Sequence, residues 1–224
     1  MDALPRQNSL LKSVYEAVRD SICDGDLKPG ERITQEAIAE KLDVSRQPVN
    51  QALILLRAQG FIQDAGRRGV MVTPLDPGAV QNIYEIRGAL DRLAAYLAAE
   101  RGESDIIAEG LRLIEKVRTR IAEASTGELV KADMSFHELI YQLSGNDMIL
   151  SSLTPYWHHL RRVMATVIGE GYRRDQIWSE HEDILRAIEA GDGDLASARA
   201  AAHVDSACRA LTARLAEQNG LDND

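Results

Sequence analysis

Residues 33–74 read ITQEAIAEKLDVSRQPVNQALILLRAQGFIQDAGRRGVMVTP, and the order of apolar residues in this stretch decides the fold. Ile38, Ala39 and Leu42 repeat at helical spacing and predict a short helix, which Asp43 and Val44 interrupt. Ser45 is placed to cap a second helix running through Asn50, Ala52, Leu53, Leu55 and Leu56. Pro48 falls in the first turn of that helix, where a missing amide proton costs nothing, and Gly60 ends it. Phe61, Ile62 and Gln63 predict a strand and Val70, Met71 and Val72 its partner, joined across residues 64–69.

Helix, tight turn, helix and hairpin in this order predict a winged helix-turn-helix, whose second helix enters the DNA major groove while the hairpin tip lies near the backbone or minor groove. The polar side chains fall where that use requires them. Ser45, Arg46, Gln47, Pro48, Asn50 and Gln51 crowd the N-terminal end of the second helix, and Arg67 and Arg68 sit at the tip between Gly66 and Gly69. The alternative is a plain interaction module with a solvated pair of arginines, since helix pairs followed by hairpins also serve that way.

The run GDLKPGERITQEAIAEKLDVSRQPVNQALILLRAQGFI, residues 25–62, resembles the N-terminal domain of GntR-type bacterial transcription regulators, worded L-x-P-G-x-x-L, then L-A-x-x-L-x-V-S-R-x-P-V-R-E-A-L, then a wing ending in R-R-G. Two residues depart from that wording. Asn50 stands where the family usually has arginine, and Gln51 where it usually has glutamate. Arginine reads guanine, whereas Asn and Gln suit the N6/N7 edge of adenine, so the operator half-site is expected to be richer in A·T at that contact.

The chain has 224 residues, 45% hydrophobic but only 4% aromatic, a composition that predicts a mostly helical protein with room for two modest domains. Its two cysteines, Cys23 and Cys208, lack a metal-type spacing and argue against a disulfide framework. No apolar run approaches the ~20 residues of a membrane span, nor does the N-terminus carry the apolar core of a signal peptide, so a cytoplasmic protein with no membrane partner is expected. The net charge of −9 is unevenly spread: residues 1–75 carry ten basic and ten acidic side chains, whereas residues 76–224 carry sixteen and twenty-five. The acidic part repels DNA, so specific binding must rest on a few local cations, on dimerisation, and on low salt.

Outside the opening stretch, residues 1–7 read as a loose arm and 9–24 as an amphipathic helix through Leu10, Leu11, Val14, Val18 and Ile22. Pro74, Leu75, Asp76, Pro77 and Gly78 form a stiff break, which divides the chain into residues 1–75, a linker 76–78, and residues 79–224. Helices are predicted over 79–101, 104–124, 127–144, 147–169, 173–190 and 193–218, an antiparallel six-helix bundle. The fold class is thus mostly α: a winged helix-turn-helix followed by an all-α bundle.

All five histidines lie in the bundle. His137 follows Asp133 by one helical turn, so the two share a face roughly 5–6 Å apart, along with the apolar residues Leu129, Phe136, Ile140 and Tyr141. His181 shares a stripe with Leu185 and Ile188, and His203 lies among Ala196, Ala200 and Ala207. Three imidazoles and a carboxylate from three helices suit a divalent transition ion, yet each histidine taken singly also reads as a core residue. The second domain resembles the FCD effector domain of the FadR subfamily, through IYEIRGALDRLAAYLAA, DMSFHELIYQLSGN and EHEDILRAIEAGDGDLASARAAAHV. That resemblance implies a metal held by Asp133, His137, His181 and His203, with zinc first and nickel or manganese as alternatives. His158 and His159 form a pair without the following aspartate of a phosphohydrolase, since Leu160 stands there. Arg87 falls on the stripe Ile83, Leu90, Ala94 and Leu97, so its cation points inward, either to pair with Asp91 one turn on or to hold an effector carboxylate, as the resemblance implies. Arg161 is a second candidate for the same pocket.

These readings converge on a homodimeric, metabolite-responsive regulator, most often a repressor in this family, that binds double-stranded operator DNA, a divalent ion and a small carboxylic acid. One rival keeps the regulator but makes the metal purely structural. The other is a metal-dependent hydrolase, for which the sequence lacks HExxH; Glu138 turns about 100° away from His137 around its helix.

Overall fold

The computed structural model describes residues 7–66, 69–169 and 173–221, and the chain divides into two units, 1–75 and 76–224. In the first unit α1 (Gln7–Cys23) buries Val14, Val18 and Ile22 at successive helical turns. A two-residue strand, β1 (Arg32–Ile33), leads into α2 (Gln35–Lys41), whose N-cap Thr34 accepts a bond from the Ala37 amide at 3.2 Å. The turn that follows places Asp43 at φ 50°, a left-handed conformation that a short polar side chain tolerates. α3 (Arg46–Ala58) then buries Val49, Ala52, Leu53 and Leu56 against α1. Ser45 occupies the N-cap position in extended conformation, but its side chain makes no capping hydrogen bond, unlike the predicted cap.

β2 (Ile62–Asp64) and β3 (Val70–Val72) form the hairpin, one residue later at the first strand than the periodicity predicts. The sheet has three strands, ordered β1-β3-β2 and antiparallel throughout, with Ile33 opposite Val70 and Ile62 opposite Val72. A two-residue strand is too short to show alternation, which is why β1 escaped the sequence reading. Gly60, at φ 77°, makes the left-handed turn from α3 into the hairpin, and Phe61 and Ile62 close the core beneath it.

The second unit begins with α4 (Pro77–Arg101), capped by Asp76, which accepts from the Gly78 and Ala79 amides. Pro77 and Gly78 are therefore the first turn of the helix and not linker. α5 (Ser104–Arg118) stops well before residue 124, and the Arg174 guanidinium holds the Ile121 and Ala124 carbonyls of the turns that replace it. α6 (Thr126–Leu143) opens with a reciprocal capping box between Ser125 and Glu128. The single helix predicted over 147–169 is two, α7 (Asp147–Leu153) and α8 (Trp157–Gly169), with a 3₁₀ turn at Thr154–Tyr156. Thr154 keeps helical angles, but Pro155 supplies no amide donor to the helical ladder, and the chain passes through the 3₁₀ turn there. α9 (Arg174–Glu189) and α10 (Gly193–Leu221) complete seven α-helices among the described residues of this unit, in place of six.

Small residues set the spacing of the helices that carry the polar centre. Ala94, Ala95 and Ala98 on α4 and Ala196 and Ala200 on α10 are buried where those two helices pack. A side chain at Gly110 of α5 would come within 2.7 Å of Leu185 on α9 and 3.1 Å of Leu139 on α6, so this glycine lets α5 draw both helices close. No helix among the described residues is long and apolar enough to cross a membrane.

Candidate functional site

Four helices of the second unit bring charged and polar groups into its interior. Arg87 and Asp91 on α4, Asp133 and His137 on α6, His181 on α9 and His203 on α10 are all buried, Arg87 being only 2% exposed. The structure thus brings together all four predicted metal-binding residues and Arg87. The His181 and His203 Nε2 atoms lie 3.4 Å apart, Asp133 Oδ1 lies 3.4 Å from His181 Nε2, and Asp133 Oδ2 lies 3.8 Å from His137 Nε2. Donors held about 2.0–2.2 Å from one ion in tetrahedral array stand about 3.4 Å from one another, so these side chains fit a transition ion. The three imidazoles also form a metal-competent group on their own.

The outer contacts orient the donors. His203 Nδ1–H donates to Glu180 Oε2 at 2.9 Å, which leaves the Nε2 lone pair facing the centre. Burial pushes Glu180 up, but the hydrogen bond and charge of His203, the bond from Gln176 and the charge of Arg173 together hold the carboxyl below its ordinary range. His181 stacks on Phe136 with ring centroids 3.8 Å apart, and Trp178 meets it edge to face at 4.9 Å. Its Nδ1 is buried without a hydrogen-bond partner, an arrangement costing about 1–3 kcal/mol that a core built only for stability has no reason to keep.

Burial holds His137 and His181 well below their ordinary values, with Arg87 adding to the effect, so both rings are neutral. Burial raises Asp133. Burial also opposes the charge on Arg87, but the Asp91 carboxylate 3.2 Å from its Nε keeps it firmly protonated. Tyr141 donates to the other Asp91 oxygen at 2.5 Å, and burial pushes the nearby Tyr84 phenol up to about 12.

A pH prediction follows from the two neutral imidazoles. The unfolded chain takes up their protons below about pH 6.5 whereas the folded bundle does not, so the unfolded state binds more protons and stability falls as pH drops through that value. The slope approaches about 1.4 kcal/mol per pH unit for each ring; Asp133, raised by burial, works in the opposite sense between its ordinary and raised values. Melting of the intact protein with chelator at pH 7.5 and 5.5 checks this, and an unchanged midpoint would refute it.

Two cavities of about 10 and 20 Å³ adjoin the centre. Tyr84, Arg87, Asp133, Met164 and His203 are among the residues lining the larger. Each holds about one water-sized particle, so an ion fits this arrangement and an organic acid needs the helices to part. Arg161 is half-buried, and the buried arginine of α8 is Arg162, which the sequence reading missed. Glu180, Tyr84 and Tyr141 were also missed as members of the centre. His158 and His159 lie half-buried on α8, outside the imidazole group, and Glu138 is exposed.

In the first unit Arg46, Gln47, Asn50 and Gln51 are exposed along the N-terminal half of α3, and Ser45 precedes them. Arg46 is paired with Glu36 at 3.1 Å, and Gln35 donates to the Arg46 carbonyl. Pro48, predicted at the DNA surface, is instead buried with Val49, because the helix turns that face to the core. Gly66 and Gly69 are exposed at φ 87° and 119°; Arg67 and Arg68 lie outside the described residues.

The family model for "Bacterial regulatory proteins, gntR family" matches residues 3–72, and that for "FCD domain" matches residues 82–206. The HTH-type transcriptional regulator YdhC of Bacillus subtilis (strain 168) is 28% identical over 201 residues, covering 88% of each chain. The HTH-type transcriptional repressor RspR of Escherichia coli (strain K12) is 25% identical over 190 residues, 82% of this chain and 80% of RspR. Among solved structures E. coli McbR/YncC shares the fold at a TM-score of 0.74 and 21% identity, over 94% of this chain and 98% of that one. YdhC and RspR are named as transcription regulators, and the first unit matches a family of regulatory proteins, which favours the regulator over the hydrolase alternative. The chain belongs to the GntR family of bacterial regulatory proteins, with an FCD domain as its second unit, and is a DNA-binding transcription regulator.

Proposed function

We propose that this regulator senses a small organic acid through a divalent ion, zinc first and nickel or manganese as alternatives, held by Asp133, His137, His181 and His203. The observation that carries the reading is the convergence of three buried imidazoles and a buried carboxylate, beside an arginine that is 2% exposed, inside the bundle. Bound there, the ion supplies a Lewis acid to which an acid's carboxylate can attach. Arg87 would hold the same carboxylate by a charge-assisted pair, with Arg161 as a second candidate. On the DNA side Arg46, Gln47, Asn50 and Gln51 would read the major groove, with Ser45, Gly66, Arg67, Arg68 and Gly69 on the backbone. The protein works as a homodimer on paired half-sites; Ile86, Leu93 and Tyr96 give α4 an exposed apolar face that supports this. Repression, the mode named for RspR, is the expected output. A second reading, a purely structural ion, is favoured by the small cavities.

The test is a melting screen of the intact, sized dimer against small carboxylic acids, with and without chelator, beside retardation of its promoter fragment. An acid that raises the midpoint only when the ion is present, and releases DNA, supports sensing. An ion-dependent midpoint with no response to any acid supports the structural reading, and no ion dependence overturns both.

A further inference from the structure

His137 has one ring nitrogen available to a metal, and in this structure that nitrogen is already engaged. Its Nδ1 faces Asp91 Oδ2 at 3.6 Å, while its Nε2 accepts from Arg87 Nη2 at 2.6 Å and lies 3.8 Å from Asp133 Oδ2. An imidazole lone pair serves one hydrogen or one cation, so a guanidinium on Nε2 and an ion on Nε2 exclude each other. Arg87 can let go without leaving the core. Its Nε is anchored on Asp91 Oδ2 at 3.2 Å, Tyr141 fixes the other Asp91 oxygen, and the cavity of about 20 Å³ lies alongside. A guanidinium that lets go loses an acceptor, however, and a buried donor left unpaired is costly. A carboxylate supplies the missing acceptors in the fork geometry that arginine prefers.

We propose that Arg87 is a built-in competitor for the ion: it occupies the His137 lone pair until a small carboxylate draws it away, so that metal and carboxylate each bind more tightly in the presence of the other. The reciprocity is a thermodynamic requirement once the two share one residue with two positions. This inference rests on the metal reading above and adds to it an order of events that the donor set alone does not contain.

The experiment measures Zn²⁺ affinity of the intact, chelator-stripped protein against a chromogenic competitor, for wild type, Arg87→Gln and Arg87→Lys, with and without acetate as probe. Both variants are expected to bind Zn²⁺ about ten- to a hundred-fold more tightly than wild type without acetate, the worth of a charge-assisted hydrogen bond. Lysine keeps the charge, but its single ammonium stays on Asp91. Acetate is expected to tighten wild-type binding at least about five-fold and leave both variants unchanged. Equal affinities overturn the competition and leave the metal reading standing, as does tightening in Arg87→Gln alone, which signals simple charge repulsion. Failure of all three proteins to bind Zn²⁺ overturns the metal reading itself. A measurement without substitution guards against misfolded variants: long-range ¹H–¹⁵N spectra of the stripped wild type are expected to show His137 protonated at Nδ1 and bare at Nε2. A proton on Nε2 overturns the proposal.

Discussion

If the second unit holds the proposed divalent ion, replacing His181 by alanine is expected to abolish that binding and the stability the ion would confer. His181 is fully buried, its Nε2 lies 3.4 Å from both Asp133 and His203, and Phe136 and Trp178 fix its ring, so no other donor can take its place. Loss of an outer-sphere partner typically costs ten- to a hundred-fold in metal affinity; loss of the donor itself should exceed about a hundred-fold. Glu180→Gln, which removes the carboxylate behind His203, falls in the lower range. An ion present at a hundred times its dissociation constant adds about 2.7 kcal/mol to the folded state, several degrees in melting temperature. The alanine also opens a cavity, which destabilises the protein with or without metal. The informative quantity is therefore the difference between midpoints measured with ion and with chelator. That difference should collapse in His181→Ala and persist in His158→Ala, which lies outside the cluster. Elemental analysis showing full metal content in His181→Ala would end the assignment.

Asn50→Arg is expected to convert the operator preference at one base of each half-site from adenine to guanine. Asn50 is exposed on the N-terminal half of α3, its neighbours Val49 and Ala52 anchor the helix in the core, and arginine is the better helix former, so the fold should tolerate the change. A good bidentate contact discriminates by about 1–3 kcal/mol, and a dimer repeats it, giving on the order of 2–6 kcal/mol between matched and mismatched operators. Selection from a random duplex pool, read for both proteins, checks it. A wild type that selects guanine at this contact would show that Asn50 does not read the base there. The Arg46–Glu36 pair does not alter the expectation, since both side chains are largely solvent-exposed and such pairs hold weakly.

The first unit was legible because its signals are local. Helical spacing through Ile38, Leu53 and Leu56, a left-handed turn at Asp43 and a glycine after α3 each act within a few residues, so the winged helix-turn-helix could be written from the sequence. What escaped depends on distant partners. β1 exists only because Arg32 and Ile33 pair with Met71 and Val70. α5 ends early where Arg174, fifty or more residues on, takes the carbonyls of Ile121 and Ala124. Pro155 was a local signal, overlooked within a long apolar run. In the polar centre, Asp133 and His137 announced each other by one-turn spacing, whereas His181 and His203 announced only that they faced inward, and the family resemblance then singled out the four as a set. Glu180 had no such signal: it directly precedes His181, points elsewhere on the helix, and meets His203 only because α9 and α10 pack together.

The hairpin is not an appendage. β3 is the middle strand of its sheet, bonded on one side to β2 and on the other to β1, which leads directly into α2. α3 and the hairpin are therefore parts of one folded unit, and contacts to DNA made from both would act like the two teeth of a chelating ligand. Their relative orientation is fixed during folding, so the second contact adds grip without a second loss of freedom.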